Sequence, residues 1–172
     1  MKRNRISTLF VIIILFGFVS CNKQSPQLPS NKGNVADKDV VALLAINQNL
    51  ATKEDSILQN FADKEIAFRK SKLGFWYKIN QPTKGILLKD KDICKFVFQM
   101  KLLNGKVLEE GEKQIVIGKK QVVTGLEQGL RLMCKGDSAT FIIPSNLAYG
   151  MKGNLPLVPP YTSLIFQIKL LK

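Results

Sequence analysis

The residues with most scope for chemistry lie between positions 143 and 163. There Ile143-Pro144-Ser145-Asn146-Leu147-Ala148-Tyr149-Gly150 leaves one apolar run, and Leu157-Val158-Pro159-Pro160 precedes the next, which starts at Ser163. A strand-anchored loop of about a dozen residues that carries Tyr149, Leu157, Val158 and Tyr161 is where functional apolar groups tend to sit. Its side chains offer apolar contact and a phenol rather than a titrating pair. The chain has no histidine, which excludes His-based acid–base catalysis and His metal sites. The scattered Asp and Glu form no metal cluster, and nothing in the pattern calls for a cofactor. Cys94 and Cys134 are forty residues apart, a spacing that fits no redox or zinc motif. Cys94 alternates with apolar neighbours and reads as a buried, inert thiol, although an oxidising compartment leaves its pairing with Cys134 open.

The elements that must position this loop follow from periodicity. Phe75-Trp76-Tyr77-Lys78-Ile79 is rich in strand formers. Cys94, Phe96, Phe98, Met100 and Leu102 alternate with polar residues, as do Leu164, Phe166, Ile168 and Leu170; both patterns predict half-buried strands. Asn104-Gly105 is a hairpin signal. Residues 114–117 and 139–143 read as further short strands. Leu126, Leu130, Leu132 and Met133 give one short amphipathic helix. Five strands and one short helix predict an α+β fold, with an antiparallel sheet covered on one face.

Ahead of that unit, residues 37–73 carry apolar positions at helical spacing: Val40, Leu43 and Leu44, then Ile57, Phe61 and Phe68. Thr52-Lys53-Glu54-Asp55 fits a capping box, so two helices are expected, broken near Ala51 and stopped at Gly74. A dimerisation or docking arm and a helix packed on its own domain are both open readings. Residues 22–34 are rich in Ser, Pro, Gln, Asn, Lys and Gly, too polar to fold alone. The domain reading is 1–20 export segment, 21–36 tether, 37–73 helical extension and 74–172 folded domain.

Charge adds less. The chain has 26 Lys and Arg against 13 Asp and Glu, a net +13; without Lys2, Arg3 and Arg5 the balance is 23 to 13, or +10. The lysines are dispersed, with no run of five, so the reading is a solvated basic surface beside an anionic membrane and no nucleic-acid partner.

Taken with Val122-Val123-Thr124-Gly125-Leu126-Glu127-Gln128-Gly129-Leu130 and Met133-Cys134-Lys135-Gly136-Asp137, the residue 143–150 segment resembles the FKBP-type peptidyl-prolyl cis-trans isomerases over residues 75–172. The resemblance implies a curved five-stranded antiparallel sheet wrapped on a short helix. It also implies a pocket wall of Phe98, Leu108, Val122, Val123, Leu126, Tyr149, Leu157, Val158 and Phe166. The Val123 amide and the Tyr149 hydroxyl match the family's donors to a bound substrate carbonyl, and Glu109 matches a rim aspartate. Leu126 stands where a tryptophan is common, Phe98 where a tyrosine is, Leu108 where a phenylalanine is, and Asn154 where a histidine often is. The first three departures keep the site apolar, but imply weaker catalysis and weak binding of the family's macrolide inhibitors; Asn154 adds little information. The plain alternative for Phe98, Leu126 and Phe166 is ordinary core.

The start of the chain also carries a resemblance. Lys2, Arg3 and Arg5, an apolar run of eleven from residue 9 to 19, and Ser20-Cys21 are similar to a bacterial lipobox, in which Cys21 is lipid-modified; the run is too short for a membrane span. With Gly74-Phe75-Trp76-Tyr77, this resembles the gliding-motility-associated lipoproteins of the same family. The expectation is a lipid-anchored envelope protein on the outer membrane facing the periplasm, acting on Xaa-Pro segments of exported envelope proteins. Competing readings are a non-catalytic binding module or holding chaperone, and a structural lipoprotein acting through its helical arm.

Overall fold

A computed structural model describes residues 34–64 and 67–172. The export segment, Cys21 and the tether before Asn34 lie outside the described residues. The chain divides into two compact units, Met1–Ala42 and Leu43–Lys172. The sheet, its cores and the cleft all belong to the second, as does helix α1 from Leu43 onward.

α1 runs unbroken over Asn34–Asp63. The expected break near Ala51 is absent because no Gly or Pro interrupts these residues. Thr52 is therefore not a cap: its hydroxyl donates to the Gln48 carbonyl at 2.9 Å, one turn back. Nor does α1 reach Gly74, which takes φ +95° in a separate turn where its N–H donates to Ser71 O at 3.1 Å. The expected apolar positions are met in part: Phe61, and Phe68 beyond the helix, pack half-buried against a cluster that includes Trp76 and Ile142. Leu58 and Ala62, four residues apart, are buried, whereas Ile57 is exposed.

The sheet has six strands, not five: β1 Arg69–Lys70, β2 Trp76–Gln81, β3 Ile93–Leu102, β4 Val107–Val116, β5 Ser138–Ile143 and β6 Leu164–Leu170, in the order β1-β2-β5-β6-β3-β4. Every pairing is antiparallel. The additional strand, β1, has only two residues, too short for a period-two pattern. β4 begins seven residues before the expected position 114, because most of it is solvent-exposed and shows no apolar alternation. The Asn104-Gly105 hairpin joins β3 to β4, with Leu102 N–H donating to Lys106 O at 2.9 Å and Gly105 at φ +87°.

The end of β5 is apolar on both faces because both are covered there. Phe141 and Ile143 join the main core with Phe75, Phe96, Met100, Leu126, Leu130, Leu164 and Phe166. Ile142, with Trp76 and Ile165, forms a second core against Leu58 and Ala62 of α1. The short helix α2, Thr124–Leu130, approaches β5 through two glycines: a Cβ on Gly125 would lie 2.4 Å from Ile143, and one on Gly129 would lie 2.6 Å from the Phe141 ring.

Cys94 and Cys134 are both free and buried. Burial pushes the Cys94 thiol up to about 11, with the charges of Asp92 and Glu127 adding to the shift. At neutral pH it stays a protonated, unreactive thiol.

Candidate functional site

A cleft of about 300 Å³ opens between the inner face of the sheet and the start of α2, at the small end of the size range for ligand sites. β3 contributes Phe96, Phe98 and Met100 from alternate positions, β6 contributes Phe166, the segment entering α2 supplies Val122 and Val123, and the first turn of α2 supplies Leu126. Leu126 and Phe166 are buried, while Val122, Val123 and Phe98 are half-buried. Glu109, Lys113, Lys120 and Gln121 are exposed at the mouth, and Tyr149 completes the lining.

Each wall is held by identifiable bonds. The buried Glu127 carboxylate accepts the N–H groups of Gly118 at 2.7 Å and Lys120 at 3.0 Å, which secures the approach to Val122 and Val123. Val123 is the residue before α2, with φ −59° and ψ 147°; its carbonyl accepts the Glu127 N–H at 3.0 Å. No hydrogen bond from the Val123 N–H occurs among the described residues.

Tyr149 follows a single 3₁₀ turn, Ser145–Leu147. The turn is closed by Gly150 N–H on Ser145 O at 2.7 Å, and Tyr161 N–H donates to Gly150 O at 2.9 Å. The loop tip folds on itself through reciprocal Asn154 and Val158 backbone bonds of 2.7 and 2.8 Å. Gly153 is obligatory there, because a Cβ would fall 2.5 Å from the Val158 carbonyl. Burial raises the Tyr149 pKa, the Glu109 charge raises it further, and a side-chain hydrogen bond with Asn154 opposes the rise. The phenol therefore remains protonated at neutral pH and able to donate.

Of the residues singled out from sequence, Tyr149, Val123, Glu109, Phe98, Val122, Leu126 and Phe166 share this cleft. Leu108, Leu157 and Val158 do not line it. Leu108 and Leu157 pack half-buried against the main core, and Val158 is wholly buried within it, beneath the loop. Sequence reasoning missed Phe96 and Met100 as lining, although they share Phe98's face of β3. It also missed Lys113, Lys120 and Gln121. Lys113 lies opposite Phe96 and shares the Glu109–Gly111–Ile115 face of β4, a position that only the strand register reveals. Asn154, which carried little information in sequence, contacts the central phenol.

Chemically, the cleft offers apolar walls, a protonated phenol and an available backbone N–H, with no nucleophile–base pair. Among the described residues, no group of three or more His, Cys, Asp or Glu could hold a metal ion, and no helix is long and apolar enough to cross a membrane.

Residues 85–171 match the family model described as "FKBP-type peptidyl-prolyl cis-trans isomerase". A Haemophilus influenzae protein named "Probable FKBP-type peptidyl-prolyl cis-trans isomerase" is 36% identical over 101 residues, which is 57% of this chain and 42% of that one. The Mip peptidyl-prolyl cis-trans isomerase of Chlamydia muridarum is 31% identical over 129 residues, covering 73% and 51%. The chain thus spans about half the length, or less, of these curated relatives. The crystal structure of a peptidyl-prolyl cis-trans isomerase from Pseudomonas syringae superposes with a TM-score of 0.64 at 20% identity, over 73% of this chain and 93% of that one; this likeness is one of fold.

Proposed function

Because the chain belongs to the FKBP-type peptidyl-prolyl cis-trans isomerase family, we propose that it accelerates rotation about Xaa-Pro bonds held in the cleft beneath Tyr149. That rotation breaks amide resonance, against a barrier of about 18–20 kcal/mol, without breaking a bond or moving a proton. A catalyst need only bind the twisted amide more tightly than the planar one. Twisting withdraws charge from the carbonyl oxygen, so a dry apolar wall disfavours the twisted state less than the planar one. Phe98, Val122, Leu126 and Phe166 supply that wall. The Val123 N–H and the Tyr149 hydroxyl hold the substrate carbonyls, and Glu109 sits at the rim.

The observation that carries this reading is the Tyr149 phenol over an apolar-walled cleft with no nucleophile–base pair. A protease-coupled assay on Leu-Pro and Phe-Pro peptides tests it, with acceleration expected at micromolar protein. A folded sample that binds proline peptides without accelerating them would instead establish a binding module. Tyr149→Phe removes one hydrogen bond to a neutral carbonyl, a loss of about 0.5–1.5 kcal/mol. Its kcat/KM is expected to fall about two- to thirteenfold, with unchanged stability in a thermal melt.

The finer reading rests on the first 21 residues, whose pattern supports export and lipid attachment at Cys21. Lipidation would tether the enzyme to the bacterial envelope, at the outer membrane facing the periplasm. Its clients would be Xaa-Pro segments of exported envelope proteins, in the manner of the gliding-motility-associated lipoproteins, with α1 as a dimer contact. Radiolabelled palmitate should be incorporated by the intact chain and not by Cys21→Ala; label retained by the variant refutes the anchor.

A further inference from the structure

We infer that Glu54, on α1, is a positioning residue for Tyr149, acting through the two ends of the loop that carries it. This rests on the isomerase reading of the cleft. The loop leaves β5 at Ser145 and joins β6 at Ser163, and both serines are buried. The Glu54 carboxylate accepts the Ser145 N–H at 2.7 Å, the Ser145 hydroxyl at 2.9 Å and the Ser163 hydroxyl. One side chain thereby ties together two loop ends 18 residues apart in sequence, from a helix 91 and 109 residues away along the chain.

Three donors suit an acceptor-only carboxylate with two oxygens, and bonds to an ionised acceptor are the stronger kind. The carboxylate is itself held. Leu58 and Ala62 follow it at four-residue intervals and dock against Trp76, Ile142 and Ile165, so the face that buries them aims Glu54 at the loop. From there the path is short. The Ser145 carbonyl accepts the Gly150 N–H at 2.7 Å, and Gly150 is the residue after Tyr149. Glu54 thus anchors the base of the turn that points the phenol into the cleft, and the helix that carries it is part of the catalytic unit's framework.

The test compares the full chain with Glu54→Ala, Glu54→Gln, Tyr149→Phe and the double variant Glu54→Ala/Tyr149→Phe, by isomerase assay and by amide hydrogen exchange. Glu54→Ala should lower kcat/KM about tenfold, short of the roughly hundredfold that a misplacement of ~1 Å can produce. Glu54→Gln, whose amide oxygen still accepts and towards whose amide the serine hydroxyls can turn, should recover most of the loss. In the Tyr149→Phe background, Glu54→Ala should have little further effect, since the residue it positions has lost its hydroxyl. Exchange should quicken in residues 145–163 and stay unchanged in β3 and β4. Unaltered activity in folded Glu54→Ala, an undiminished further loss in the double variant, or exchange that quickens evenly across the sheet would each overturn the inference. A wild-type chain with no isomerase activity would refute the reading of the cleft instead. The positioning role would then be decided by exchange alone: quickening confined to 145–163 supports it, and no quickening there overturns it.

Discussion

Phe141→Ala is expected to lower the unfolding free energy by about 4 kcal/mol, within the range of roughly 3–5 kcal/mol seen when a buried phenylalanine is truncated. The ring is fully buried on the inner face of β5, 6.3 Å from the Phe75 ring at 66°. On its other side it fills the space left by Gly129 of α2. Truncation leaves a void between sheet and helix, and neither can collapse without moving the backbone. A urea titration measures it, as a lower midpoint with an unchanged slope. The reverse change tests the same contact from the helix. Alanine is the better helix former by about 1 kcal/mol, yet a Cβ on Gly129 would meet the Phe141 ring at 2.6 Å. Gly129→Ala should therefore destabilise by about 1–3 kcal/mol through overpacking. Combined with Phe141→Leu, its effect should be smaller than the sum of the two, as a double-mutant cycle can show. A stabilising Gly129→Ala would mean that α2 does not press on β5 as described.

Asp137→Ala is expected to destabilise the fold by about 3 kcal/mol. The carboxylate is buried at the turn into β5. It accepts the Thr83 N–H at 2.6 Å, the Thr83 hydroxyl at 2.7 Å and the Cys134 N–H at 2.8 Å. Losing a hydrogen bond to a charged group costs about 1.5–3 kcal/mol; here the Cys134 N–H is left buried without a partner, whereas Thr83 is exposed and its donors can turn to water. Burial alone would raise the Asp137 pKa, but the bonds from Cys134 and Thr83, with the nearby Lys169 charge, outweigh it and hold the pKa below the ordinary value. A carboxylate with a depressed folded pKa contributes fully to stability above its unfolded value, about 3.9, and the contribution fades as pH falls through the lower folded value. Stability measured from pH 6 downward should decline more steeply below about pH 4 in the wild type than in the non-titrating Asp137→Asn. Parallel profiles would rule out this assignment.

The cleft and the fold were legible in the sequence to different depths. The alternation of Phe96, Phe98 and Met100, that of Leu164, Phe166 and Ile168, the Asn104-Gly105 turn and the Leu126–Leu130 spacing are local signals, and each corresponds to an element of the structure. β1 and the outer part of β4 gave no such signal, one being two residues long and the other mostly solvated. In α1 the helical period and Phe61 were legible but the most buried positions were not: the apolar side chains outnumber those the sheet can cover, and only packing selected Leu58 and Ala62 over Ile57. Val158 illustrates the converse, because a loop residue read as pocket wall is wholly buried in the main core, at a point where its backbone pairs with Asn154.

Short-range periodicity and residue type therefore determined the core strands, the short helix, the phenol-bearing loop and the exclusion of histidine chemistry. Sheet register and helix docking alone decided that Glu54 reaches Ser145 and Ser163 instead of capping its own helix, that Lys113 faces the cleft, and that Gly129 abuts Phe141. A sequence pattern is felt over a few residues, whereas each of these contacts joins segments brought together only when the whole hydrophobic core closes.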